Sequence, residues 1–227
     1  THGGVTQENS HPHLDCTKTI AVVHNGIVEN FQELKNNLIK KGHRFISDTD
    51  TEIIPHLIED FQKKEAMPAG RQGFASSARD AFNKLKGLNA IVVASVGSSE
   101  IIAAKNGSPL VVGIGKDEFY IASDATGIVK HTKKVIFLED YQMIILGKRV
   151  KLINLQDGKE IKPKYSNLTC KFEETEKGRN ITSIAMEAEE AEEMKCNQCV
   201  DYATCEREAA IDCGFFTPFE ITETELF

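Results

Sequence analysis

No run of about 18 apolar residues occurs anywhere in the 227 positions, so no membrane-spanning helix and no membrane partner are expected. Residues 1–20 lack the apolar core of a secretory leader, so a cytoplasmic location with reduced thiols is expected. An initiating methionine is also absent. Thr1 opens the sequence, and the reading is either processing or a missing preceding segment. No glycine-rich phosphate loop is present, since Gly113-x-Gly115-Lys116 has the spacing of neither nucleotide fingerprint. No G-x-S-x-G elbow occurs. A basic excess is missing as well. The net charge is -7, and residues 171–227 hold 15 acidic against 5 basic side chains. The remaining body is nearly neutral, so it carries no electrostatic footprint for nucleic acid, and the acidic tail would repel phosphates.

What is present is an ordinary globular composition, 41% hydrophobic and 27% charged, enough for one good-sized domain and an appendage. Thr19 to Val28 reads as a buried strand. Phe31, Leu34 and Leu38 follow at helical spacing, with Gly42 placed to close the helix. Arg44 to Ser47 reads as a short strand. Asp50 or Thr51 then caps a helix whose apolar face is Ile53, Ile54, Leu57, Ile58 and Phe61, with Pro55 tolerated in the first turns. Met67–Gly73 is a Pro/Gly-rich loop, and Phe74, Ala78, Ala81, Phe82 and Leu85 resume a third helix.

After Gly87 the pattern changes to seven short β-rich runs: 90–96, 101–105, 110–114, 119–122, 135–138, 142–146 and 150–155. Tight turns separate them, which predicts antiparallel sheet and an α+β layout. Residues 181–195 read as an acidic helix, and the compositional break near Gly178 sets the expected boundary between a 1–178 domain and a 179–227 tail.

Four polar clusters sit at the rims of apolar runs: Thr1-His2-Gly3, Asn9-Ser10-His11-Pro12-His13, His24-Asn25-Gly26 and Ser47–Glu52. Rigid strands carrying polar groups at their ends are how a small-molecule site is built. Asn25-Gly26 has two readings. It is the strongest hairpin-turn dipeptide, or it is an oxyanion hole in which the asparagine amide and the glycine N–H converge on one oxygen. Asp50 is a helix cap or a carboxylate for an ammonium group. His2, His11, His13 and His24 lack the i, i+4 spacing of helical metal ligands, so no metal is assigned to them. Cys16 and Cys170 stand alone. Cys196, Cys199, Cys205 and Cys213 form either a zinc or iron–sulfur site or a set of free thiols.

Seven ordered segments then carry a resemblance: THGG at 1–4, NSHPH at 9–13, VVHNGIVEN at 22–30, SDTDTEII at 47–54, NGSPLVVGIG at 106–115, FYIASD at 119–124 and VIFLEDYQMIIL at 135–146. Together they resemble the glutaminase domains of glutamine–fructose-6-phosphate aminotransferases, class II glutamine amidotransferases. The resemblance covers about residues 1–178. It implies the N-terminal nucleophile fold, a four-layer αββα sandwich, here incomplete at its N-terminus. It implies glutamine as substrate, no bound cofactor, and ammonia passed to fructose 6-phosphate in an isomerase domain that is missing here. The full-length family enzyme leaves room for a homo-oligomer.

By the same resemblance Asn25 and Gly26 match the oxyanion pair, Asp50 the carboxylate for the glutamine α-amino group, and Thr1, His2 and His11 the pocket wall. The family's nucleophile is an N-terminal cysteine, which these residues do not include, so the isolated chain is expected to be inactive. A degenerate, non-catalytic binding module with a metal-binding or docking tail is the alternative.

Overall fold

The computed structural model describes residues 3–65, 73–175 and 178–188. The chain divides into two compact units. One comprises Thr1–Leu110 with Leu138–Pro163, and the other Val111–Phe137 with Lys164–Phe227.

The first unit opens with β1 (His13–Leu14) and β2 (Ile20–Gly26), followed by α1 (Phe31–Lys40), α2 (Ile53–Glu65) and α3 (Phe74–Phe82). Next come β3 (Asn89–Ser95) and β4 (Ile101–Asn106). The second unit begins with β5 (Val111–Ile114), β6 (Phe119–Ala122) and β7 (Lys134–Phe137). The chain then returns to the first unit for β8 (Gln142–Leu146), β9 (Val150–Asn154) and β10 (Glu160–Ile161), and ends in the second with β11 (Ser166–Thr175) and β12 (Gly178–Ala188).

The first unit's sheet has seven antiparallel strands in the order β1-β2-β3-β4-β8-β9-β10. Register explains its core. Val22 stands opposite Val93, Val93 opposite Ile102, and Ile102 opposite Ile145. All four therefore share one face, and all pack in one cluster with Leu38 of α1, Ile53, Ile54, Leu57 and Ile58 of α2, and Ala78, Ala81 and Phe82 of α3. The α2 residues recur at helical spacing, so one stripe of the helix meets that face. The second unit carries the five-stranded sheet β12-β11-β7-β5-β6, with Val111, Ile128, Val129, Val135 and Leu168 as its core. The seven β-rich runs and three helices read from the sequence are all present. Among the described residues no helix is long and apolar enough to cross a membrane.

Three expectations are corrected. Arg44–Ser47 is not a strand. The Glu52 carboxylate takes the N–H groups of Ile46 at 2.8 Å and Ser47 at 2.7 Å, so those donors have no need of a neighbouring strand. Residues 181–188 are not helical. They lie in β12, paired with β11 from Ser166↔Ala188 to Thr175↔Gly178, as the β-branched Ile181, Thr182 and Ile184 favour. This hairpin runs through the compositional break at Gly178. Lastly, Asn25-Gly26 is not a hairpin turn. Both residues pair within β2, Asn25 with Ala90 and Gly26 with Asn89, and more than sixty residues separate the two strands. The Met67–Gln72 loop, residues 189–195 and Cys196, Cys199, Cys205 and Cys213 lie outside the described residues.

Candidate active site

A small cleft of about 80 Å³ opens at the β1 edge of β2, lined by Asn9, His11, His13, His24, Asn25, Gly26, Thr49, Asp50 and Thr51. Three segments of different kinds deliver these groups. β2 supplies His24, Asn25 and Gly26, the approach to β1 supplies Asn9 and His11 with His13 from β1 itself, and the loop before α2 supplies Thr49–Thr51.

The strand pattern fixes where Gly26 points. Ile27 N–H donates to the Leu88 carbonyl at 3.3 Å and Val96 N–H to the Thr19 carbonyl at 2.9 Å, so odd-numbered residues of β2 bond to β3. Even-numbered residues bond toward β1, as the Asp15–Ile20 bond at 3.2 Å and the His13↔Val22 pairing show. The two-residue β1 ends there. The Gly26 N–H therefore points off the sheet edge at the cleft, where no strand among the described residues accompanies it. Only glycine fits this position. Its φ is +136°, and an added Cβ would stand 2.0 Å from the Leu88 carbonyl oxygen.

Asp50 is the one acidic group among the described lining residues. It is buried, and its Oδ2 accepts the Val28 N–H at 2.7 Å, which ties the α2 approach to the end of β2. His24 is buried and held at both nitrogens. Nε2 meets Asn89 Oδ1 and Nδ1 meets Thr51 Oγ1, each at 2.9 Å. Asn89 donates its amide to the Gly87 carbonyl at 2.9 Å, which leaves Oδ1 as acceptor. His24 therefore donates from Nε2, and its Nδ1 accepts from Thr51. Burial pushes the pKa of His24 down, and burial likewise leads the lowering at His11 and His13. The wall thus disfavours positive charge on its histidines, and Asp50 is the one carboxyl group set into it. A cleft of that kind suits a zwitterion, whose ammonium meets the carboxylate while neutral donors meet its oxygens.

A hydrogen-bond chain supports the floor. His13 Nε2 lies 3.2 Å from Thr49 Oγ1, Thr49 Oγ1 lies 3.0 Å from Ser47 Oγ, and Ser47 Oγ donates to Glu52 at 2.6 Å. Burial raises the Glu52 pKa, but His56 beside it, then the Ser47 hydroxyl and the two backbone donors, outweigh burial and bring it down to about 2. Asn9 is fixed by the Asp48 N–H at 2.9 Å and by its own donation to Gly4 O at 2.9 Å.

Of the residues singled out in the sequence, His11, Asn25, Gly26 and Asp50 come together in the cleft. Thr1 and His2 lie outside the described residues. Sequence reasoning missed the supporting roles of Asn9, Thr49, Thr51 and Asn89. Asn9, Thr49 and Thr51 sit inside the polar clusters, whereas Asn89, at the start of β3, gave no local signal. It also treated Cys16 as solitary, whereas the fold groups it with His43, His56 and Glu59.

The model of the glutamine amidotransferase domain matches residues 4–130. The chain belongs to the glutamine amidotransferase domain family. Among curated proteins, the glutamine–fructose-6-phosphate aminotransferase (isomerizing) of Methanocaldococcus jannaschii is 44% identical over 150 residues, 66% of this chain and 14% of that one. The enzyme of the same name from Methanothermobacter thermautotrophicus is 42% identical over 181 residues, 78% of this chain and 29% of that one. The likeness expected from the sequence, to the glutaminase domain of these aminotransferases, is thereby shown. The chain spans less than a third of the length of these relatives. Among solved structures, the glutamine phosphoribosylpyrophosphate amidotransferase of B. subtilis matches with a TM-score of 0.56 and 24% identity, covering 69% of this chain and 34% of that one. A structure titled as the allosteric regulatory enzyme of purine biosynthesis matches with a TM-score of 0.54 and 25% identity, over 68% and 33%. The α+β class and the N-terminal nucleophile-type fold hold.

Proposed function

We propose that the cleft binds glutamine and forms part of the site that hydrolyses its side-chain amide to glutamate and ammonia. Asp50 receives the α-ammonium group, with His11 and the Thr1-His2 segment completing the wall. The side-chain amide of Asn25 and the N–H of Gly26 stabilise the oxyanion. The observation that carries this reading is the Gly26 N–H at an open strand edge, in a cleft shared with Asn25 and Asp50.

In this reading a cysteine thiol attacks the amide carbon, with an α-amine accepting its proton. The carbonyl π electrons move onto oxygen and the two donors hold the resulting charge. Collapse expels ammonia, which takes the proton, and leaves a thioester that water cleaves to glutamate. No cysteine lines the cleft among the described residues; in this reading the thiol is an N-terminal cysteine of the kind the family uses, and these 227 residues alone are expected to be inactive. The acceptor in the complete protein is fructose 6-phosphate, as the names of its relatives suggest.

The test is complementation. The N-terminal segment of the Methanothermobacter relative, expected from the family resemblance to carry the nucleophilic cysteine, is co-expressed with this chain, and glutamate release is measured. Glutaminase activity is expected, and Asn25→Ala should lower its kcat roughly 100- to 1,000-fold. A stable complex with no activity, or unchanged turnover in Asn25→Ala, overturns the proposal.

A further inference from the structure

A second constellation lies away from the cleft, at the junction of the β1–β2 turn, the end of α1 and the first turns of α2. Cys16 Sγ, His43 Nδ1, His56 Nδ1 and one oxygen of Glu59 all lie within 4.8 Å of one another. Cys16 Sγ stands 3.6 Å from His43 Nδ1 and 3.4 Å from His56 Nδ1, and the two nitrogens are 3.3 Å apart. Glu59 Oε2 is 3.1 Å from His43 Nδ1 and 3.6 Å from His56 Nδ1.

We propose that these four residues form a tetrahedral zinc site. Zinc bonds of about 2.0–2.2 Å to nitrogen and oxygen and about 2.3 Å to sulfur give a tetrahedron with edges of about 3.3–3.6 Å. Five of the six edges run from 3.1 to 3.6 Å, and the sixth, between Cys16 Sγ and the Glu59 oxygen, is at most 4.8 Å.

Hydrogen bonding alone does not account for this convergence. Each Nδ1 faces three partners, a sulfur, a nitrogen and an oxygen, yet an imidazole nitrogen carries one proton or one lone pair. One cation at the centre satisfies all four atoms together. The donor set is also balanced for it. A thiolate and a carboxylate with two neutral imidazoles neutralise a divalent ion, and mixed sulfur and nitrogen ligands select zinc over magnesium or calcium.

Local structure aims each ligand. Asp15 Oδ1 accepts the N–H groups of Thr19 and Ile20, both at 2.7 Å, which fixes the turn that presents Cys16. The Arg44 N–H points at Cys16 Sγ at 3.5 Å. His43 follows the left-handed Gly42 that ends α1. His56 and Glu59 are i, i+3 on one face of α2. Both are almost wholly enclosed, at 1% and 3% exposure. In zinc sites a carboxylate often orients the histidine's far nitrogen; here the buried His56 Nε2 makes no hydrogen bond among the described residues, and Glu52 is the carboxylate beside it. Glu52 Oε1 lies 3.6 Å from His56 Nε2, and Lys63 pairs with the second Glu59 oxygen at 2.6 Å.

Four protein ligands leave no open position, so the ion is structural. It staples the segment 43–56, which contains the cleft residues Thr49, Asp50 and Thr51. Through Glu52 it also joins the chain Ser47–Thr49–His13 that floors the cleft.

The test uses the full chain with Cys170, Cys196, Cys199, Cys205 and Cys213 all replaced by serine, which leaves Cys16 as the one thiol. About one zinc per chain should co-purify, measured by elemental analysis. X-ray absorption at the zinc edge should show one sulfur and three nitrogen or oxygen neighbours. Cobalt substitution should give tetrahedral d–d bands and a thiolate charge-transfer band, which Cys16→Ser abolishes. Glu52→Gln should weaken zinc binding about 10- to 100-fold while keeping the cobalt spectrum. A folded protein without zinc means a hydrogen-bonded cluster only and overturns the proposal. So does a sulfur-free zinc shell, or a cobalt spectrum indifferent to Cys16→Ser. The absorption measurement needs no ligand variant, so it decides even where Cys16→Ser fails to fold.

Discussion

At the scale of single residues, two glycines separate conformational necessity from mere sequence. At Gly26, φ is +136° and a Cβ would meet the Leu88 carbonyl oxygen at 2.0 Å and Asn89 Cα at 3.0 Å. Both obstacles are backbone, so neither can swing aside as a flexible side chain would. Gly26→Ala must push the end of β2 off β3, and it carries the cleft-facing N–H with it. The substitution should cost more than about 1 kcal/mol, because the native conformation is incompatible with a side chain. Gly4 has nothing within 4 Å of its would-be Cβ and an unexceptional φ. Gly4→Ala should stay within about 0.5 kcal/mol of the parent. Urea unfolding of both variants checks the contrast, and equal midpoints would remove the structural argument for glycine at position 26.

At the scale of elements, the end of α1 shows how much the sequence makes legible. The His43 N–H donates to the Leu38 carbonyl at 3.1 Å and the Gly42 N–H to the Ile39 carbonyl at 2.9 Å, with Gly42 at φ +91°. This is the Schellman pattern, and Gly42 placed after an apolar 3-4 repeat announces it in the sequence. An added Cβ on Gly42 meets nothing within 4 Å. The penalty of Gly42→Ala is therefore purely conformational, about 1 kcal/mol by the cost of a left-handed non-glycine residue. Thermal unfolding measures it, and a loss near zero would mean the helix ends by another route.

Helices and strands were legible because their apolar spacing is local and strong. Arg44–Ser47 was not, because its backbone donors are satisfied by a carboxylate six residues on, which no periodicity records. Residues 181–188 misled because glutamate content outweighed the β-branched Ile181, Thr182 and Ile184. In the cleft, His11, Asn25, Gly26 and Asp50 were legible as polar clusters at strand ends, but Asn89 was not. Its partner His24 is 65 positions away. The Cys16 cluster was hidden for the same reason. Its members are spread over more than forty residues, and only His56-x-x-Glu59 forms a local pair.

At the scale of the whole molecule, the cleft should govern how stability depends on pH. His11, His13 and His24 all have pKa values below the usual 6.5, with burial as the first cause. Asp50 opposes the shift at all three, and His11 disfavours charge on His13, whose ring lies 5.3 Å away. A depressed folded-state pKa means the unfolded chain binds these protons first. The stability gained by keeping the rings neutral is therefore complete above about pH 6.5 and is lost as the pH falls below it. His13 and His24, both buried, each contribute at most about 1.4 kcal/mol per pH unit inside that window, and the exposed His11 contributes less because solvent screens it. Glu52, held to about 2, stays ionised in the folded chain, so its stabilisation is lost only as the unfolded glutamate begins to protonate toward its usual 4.5, below the pH 5.5 point. His43 is also lowered by burial, so the total slope does not belong to the cleft alone. The decisive quantity is the difference between the parent and His24→Gln, which removes one cleft titration. Urea midpoints at pH 7.5, 6.5 and 5.5 should fall for both, and less steeply for His24→Gln. Parallel slopes would mean His24 titrates alike in the folded and unfolded chain, contrary to its burial between Thr51 and Asn89.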